Sequence, residues 1–199
     1  AEDLSLARAI FINRIDRSDA DYDLAFATLQ ERFGNKLGQV TIPMGSGDAF
    51  EGVIDVVHMK ARHLEGGKPV VTDVPAAYAQ AAEDARAQLT DLVAEADDEI
   101  MMKYLEGEEI TQDELEGLLA KAVAERVFVP VFTGSCVKEE GVISFMDAVV
   151  SWFPTMADFG RIPLVNGEQL DISPDDDRPV AFAFKSLNDP QNGRLSFLK

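Results

Sequence analysis

Apolar positions along the chain switch between two periods. Ala9 to Ile12 is a short continuous apolar run ending in the polar residues Asn13, Arg14 and Asp16, as a buried strand does at the rim of a sheet. Tyr22, Phe26, Leu29 and Phe33 then recur at helical spacing up to Gly34, with Ser18 and Asp21 ahead of them as a capping pair. Val127 to Thr133 is a second continuous apolar strand, followed by Gly134, Ser135 and Cys136 and by an apolar-periodic helix from about Gly141 to Trp152. Two such strand and helix pairs predict an α/β sheet. A parallel crossover closes in ~30 residues, whereas about a hundred separate Asp16 from Val127, so a domain-sized insertion is expected inside the α/β unit.

The insertion has its own pattern. Residues 39–43 and 50–64 have the alternation and β-branched content of short strands, broken by Pro43, Gly45, Gly47 and Gly52. Residues 76–96 are Ala-rich and helical, 98–105 predict a short helix, and Thr111 with Glu114 forms a capping box that opens a helix to about Arg126. Beyond Pro154 a connector rich in Pro, Gly and Asp, including Asp175, Asp176 and Asp177, leads to strand-like runs at Val180 to Leu187 and Arg194 to Leu198. The turn residues Asn188 to Gly193 join them. A lone hairpin is marginal in water, so this pair is expected to begin a β-barrel or sandwich.

Charge sharpens the picture. The 199 residues carry 36 acidic and 18 basic side chains, a net of −18, which argues against binding phosphate backbones through most of the surface. Between Ala76 and Arg126 there are 14 acidic residues against 4 basic ones. A solvated helix face accounts for any one of these carboxylates, but the collective field suits a Lys-rich protein partner and disfavours direct nucleic-acid contact by the insertion. One cysteine, Cys136, allows no internal disulfide; with no apolar run of ~20 residues and no signal peptide, a cytoplasmic location is expected. A chain opening on Ala1 is expected to have been processed or to be part of something longer.

Candidate chemistry lies at the two strand ends. Asn13, Arg14, Ile15 and Asp16 spell Asn, basic, any, Asp directly after a buried strand. A carboxylate at Asp16 can accept the parallel N1–H and N2–H donors of a guanine edge, a pair adenine lacks, and a buried acceptor rejects the wrong base because it is left unpaired. The Asn13 amide can pair with base acceptors or pin neighbouring loops, and the Arg14 stem and guanidinium can cover a base face. Taken alone, the same string also fits a turn with Asx capping. Gly134, Ser135 and Cys136 form a second small-residue loop after a strand, where backbone N–H groups can approach a ligand carbonyl such as guanine O6. Cys136 reads as a small loop residue rather than a nucleophile. His58 and His63, the two histidines, have no Cys cluster with them, and no metal site is expected. The sequence contains neither a glycine-rich phosphate loop ending in Gly-Lys-Ser or Gly-Lys-Thr nor a Gly with Asp three positions before it. Phosphate cradling and Mg²⁺ binding are therefore not expected of these residues.

Four segments resemble translation elongation factor G, in order and over essentially the whole chain: Phe11 to Asp23, Ile42 to Ala61, Pro130 to Cys136 with Lys138 and Gly141, and Ala181 to Phe197. The resemblance implies a translational GTPase that promotes ribosomal translocation, with GTP or GDP and Mg²⁺ bound by the full-length protein and none by this part alone, which is expected to be inactive. It implies that Asn13 and Asp16 read guanine, that Arg14 covers the base where Lys is usual, and that Ser135 supports Asp16. The Cys136 N–H would meet O6 where Ala is usual, and Lys138 would lie beside the nucleoside. The implied fold is α/β: a partial P-loop GTPase-type parallel sheet with an inserted α+β subdomain, followed by the first hairpin of a β-barrel domain. The expected division is 1–37 and 127–160 for the GTPase domain, 38–126 for the insert called G prime, and 161–199 for the connector and second domain. The expected partners are the ribosome and, through the acidic insert, its large-subunit stalk protein. A non-enzymatic acidic interaction module and a paralogous ribosomal protection factor are the alternatives.

Overall fold

The two apolar runs flanking the insertion pair directly with each other. In the computed structural model, described here for residues 6–108, 110–155, 158, 160–171, 181–191 and 193–198, β1 (Ile10–Ile12) leads to α1 (Tyr22–Phe33) and β2 (Leu37–Gln39). Four strands follow: β3 (Thr41–Met44), β4 (Gly52–Asp55), β5 (Lys60–Glu65) and β6 (Lys68–Asp73). Three helices come next, α2 (Ala79–Ala94), α3 (Asp98–Leu105) and α4 (Gln112–Ala124), and then β7 (Val129–Thr133) and α5 (Val142–Trp152). The first compact unit, Ala1–Pro154, holds all of these.

Its parallel sheet has the order β1-β7-β2, with Ile10 opposite Val131 and Leu37 opposite Val129. Every residue of β7 is buried, which is why that strand reads as an unbroken apolar run. The second sheet is antiparallel, β3-β4-β5-β6. Strand β2 joins the parallel sheet and β3 the antiparallel one after a single residue, Val40, whose N–H still bonds the Val131 carbonyl at 2.9 Å. One apolar core spans both: Val53, Ile54, Leu89, Leu119, Phe128 and Phe132 are fully enclosed together.

Local chemistry sets the helix ends, with one shift from expectation. Asp21, not Ser18, caps α1, accepting the Leu24 N–H at 2.9 Å. Phe33, the last of the apolar stripe and the last residue of α1, is exposed. The Thr111 and Glu114 capping box is formed in both directions, and Lys103 on α3 closes on Glu114 at 2.8 Å. That ammonium, with the Thr111 N–H and hydroxyl, holds the Glu114 carboxyl down at about 2.

The second unit, Thr155–Lys199, contains two antiparallel pairs among the described residues: β8 (Arg161–Pro163) with β9 (Gln169–Asp171), and β10 (Ala183–Asp189) with β11 (Gly193–Leu198). The β8 and β9 hairpin occupies part of what the sequence suggests is a connector. Asp175, Asp176, Asp177 and Val180 lie outside the described residues.

Candidate guanine-recognition site

Strands β1 and β7 lie side by side and point the same way, so the loops after Ile12 and Thr133 emerge together at one edge of the sheet. Asn13 joins them. Its Oδ1 accepts the Arg14 N–H at 2.8 Å and the Cys136 N–H at 3.0 Å, so it is at once a local cap and a bond across 123 residues. The turn reading and the loop-pinning reading of Asn13 therefore describe the same atom. The Cys136 N–H, expected to face a ligand carbonyl, is engaged by Asn13.

Backbone bonds hold the rest of the two loops in register. The Ile15 N–H donates to the Gly134 carbonyl at 3.3 Å and the Gly134 N–H to the Ile12 carbonyl at 3.1 Å. Ile15 is 2% exposed and anchors the first loop in the core, while Arg14 takes a left-handed conformation with φ of 67° and projects into solvent. Gly134 is required by crowding: a Cβ there would sit 2.2 Å from the Glu140 carbonyl oxygen. That same oxygen accepts the Ser135 N–H at 3.0 Å.

Asp16 differs from its neighbours. Its Oδ1 is buried and has no hydrogen-bond partner. A buried carboxylate oxygen left unmatched is costly. Ser135, expected to support Asp16, instead accepts the Lys138 N–H through its Oγ at 3.1 Å. Lys138 turns its ammonium to the Phe50 carbonyl at 3.2 Å, lying 5.8 Å from the centre of that ring. Cys136 is a free, exposed thiol.

Sequence reasoning missed Glu140, Gly47 and Phe50. The Gly47 N–H donates to the Ile15 carbonyl at 2.8 Å, and the buried Glu140 carboxylate accepts the Leu64 N–H at 2.8 Å. Both bonds use backbone partners distant in sequence, which leave no pattern in the chain. The histidines stand apart from this site. His58 lies between Asp55 at 2.9 Å and Glu116 at 3.2 Å, beside a cavity of about 180 Å³ lined also by Arg62, Asp147 and Trp152. Among the described residues no three His, Cys, Asp or Glu side chains are grouped to hold a metal, and no helix is long and apolar enough to cross a membrane.

No protein-family model matches the chain. It is 39% identical, over its whole length, to elongation factor G of Aquifex pyrophilus, of which it spans 30%. Its fold matches that of a protein from Thermus thermophilus known from a crystal structure, with a TM-score of 0.80 and 27% identity; the match covers all of this chain and 28% of that one.

Proposed function

We propose that this chain, a relative of elongation factor G along its whole length, is the guanine-reading part of a translational GTPase. The observation that carries the reading is the buried, unpartnered Oδ1 of Asp16, set where Asn13 ties the two strand-end loops together. Asp16 takes the N1–H and N2–H of guanine, and the Arg14 and Lys138 stems flank the base. Ser135 stiffens its loop through Lys138, and the Cys136 N–H is shared between Asn13 and O6 when nucleotide is bound. In this reading, residues 1–37 and 127–160 belong to the GTPase domain, 38–126 form the G prime insert, and 161–199 open a β-barrel domain. The phosphates and Mg²⁺ of GTP or GDP are held by residues outside this chain, since it has no glycine-rich phosphate loop. The whole protein couples GTP hydrolysis to translocation on cytoplasmic ribosomes, and the acidic helices α2 to α4 dock a basic surface of the large-subunit stalk protein.

Asp16→Asn tests the base assignment in the protein at the length of its relatives. An Asn amide accepts from N1–H but donates where guanine also donates, so it suits xanthine, which carries a carbonyl at that position. The variant is expected to lose GDP and gain xanthosine diphosphate; retained GDP affinity overturns the assignment. For the chain alone, calorimetric titration of GDP is expected to show no binding tighter than millimolar, and micromolar affinity would contradict the division of labour. A protein that binds neither nucleotide at full length is the acidic interaction module instead.

A further inference from the structure

The antiparallel sheet grips both base-reading loops, each at a different point. On the first loop, the Gly47 N–H in the turn between β3 and β4 holds the Ile15 carbonyl at 2.8 Å, one residue from Asp16. On the second, the carbonyl of Phe50 in the same turn accepts the Lys138 ammonium at 3.2 Å. Leu64 on β5 donates its N–H to the Glu140 carboxylate at 2.8 Å, and the carbonyl of Glu140 accepts the Ser135 N–H at 3.0 Å. Glu140 is 8% exposed. A carboxylate is costly to bury and is worth burying only where its oxygen is used.

We infer that Glu140 is a positioning residue for guanine recognition: it fixes the Ser135 to Lys138 loop to β5, while Gly47 fixes the Asp16 loop to the β3 to β4 turn, so that the insert's sheet sets the distance between the two halves of the base site. The inference rests on the guanine reading of Asp16 and deepens it. Glu140 touches no part of the base; it acts through the backbone of Ser135. Its role depends first on reach, because a side chain one methylene shorter carries the acceptor away from the Leu64 N–H, and less on charge, because a Gln carbonyl accepts the same N–H, though more weakly than a carboxylate.

Inosine diphosphate, which keeps N1–H but lacks the N2 amine, reports whether Asp16 is correctly placed. The experiment compares GDP and inosine diphosphate affinities of the protein at the length of its relatives, as wild type, Glu140→Asp and Glu140→Gln, with thermal melting alongside. Glu140→Asp keeps the charge and shortens the reach; it is expected to weaken GDP about tenfold and to shrink the preference for GDP over inosine diphosphate, the loss of roughly one well-made hydrogen bond. Glu140→Gln keeps the reach and is expected to restore the preference to within about threefold of wild type. A merely structural role lowers the melting temperature of one or both variants and leaves the preference unchanged, and that result overturns the inference. If Glu140→Asp does not fold, Glu140→Ala takes its place: a shrunken preference is expected there too, and an unchanged one overturns the inference. A wild type with no preference for GDP defeats the reading of Asp16 itself, a separate and distinguishable failure.

Discussion

The Thr41 hydroxyl accepts the Thr133 backbone N–H at 2.8 Å, with Thr41 wholly enclosed. The bond links the first strand of the antiparallel sheet to the last residue of β7, directly before Gly134. Thr41→Val keeps shape and β propensity but leaves the Thr133 N–H buried without an acceptor, at a cost of about 1–3 kcal/mol. Urea unfolding is expected to show a lower midpoint with an unchanged slope, and Thr41→Ser should recover much of the loss.

Gly134→Ala forces a methyl group to within 2.2 Å of the Glu140 carbonyl oxygen. Backbone has to move, because neither atom sits on a flexible side chain, and overpacking of this kind costs about 1–3 kcal/mol. The largest amide shifts in an NMR comparison are expected at Ser135 and Cys136, with smaller ones at Asn13, which bonds Cys136. Shifts confined to Gly134 would show that the loop has slack.

The fold was legible where one residue type governs one element. The apolar runs of β1 and β7 and the capping box of α4 announce themselves, and α3 runs from Asp98 to Leu105 as expected. Strand β6 did not, because it is an edge strand whose Lys68, Pro69, Thr72 and Asp73 are all exposed and give no apolar alternation. Strand β2 is three residues long and separated from β3 by Val40 alone, so sequence blends two strands that belong to different sheets. At the site, Asn13 and Asp16 were visible as side-chain chemistry at a strand end. Glu140 was not, since its carboxylate meets the backbone of Leu64, 76 residues away, and any residue type offers that N–H.

The Asp55 and His58 pair gives the first unit a pH dependence of definite sign. Burial pushes the Asp55 carboxyl up, but the His58 ring, the His58 N–H and Arg62 outweigh it and hold the group below its ordinary 3.8. The bond to Asp55 raises His58 above its ordinary 6.5 despite partial burial, with Arg62 opposing and Glu116 assisting. The remaining charge in this cluster is Asp147, 4.0 Å from Arg62. The His58 contribution is complete below its unfolded value and fades as pH rises through the raised native one. The Asp55 contribution is complete above its unfolded value and fades as pH falls through the lowered one. His58→Gln is therefore expected to cost most near about pH 5 and progressively less toward about pH 8, as read by chemical denaturation across that range. A gap that widens with pH contradicts the assignment.

Charge reversal between α3 and α4 tests the docking role of the acidic segment. Glu106 and Glu108 are exposed; Glu109 lies outside the described residues. Replacing all three by Lys is expected to weaken binding of the stalk protein at low salt. The difference should shrink as salt screens it, over a Debye length of about 10 Å at 0.1 M. Unchanged binding at low salt removes electrostatic docking at this surface.

The parallel pairing of Ile10 with Val131 also sets a topological demand on folding. Strands β3 to β6 and helices α2 to α4 close through contacts between chain neighbours, whereas β1 meets β7 only after some 120 residues have been gathered between them. Closing so long an unstructured loop is entropically slow, and a segment already folded between the ends shortens it. On that ground the antiparallel sheet and its helices are expected to form first, as a splint, and the edge that carries Asn13 and Asp16 last, on a support already in place.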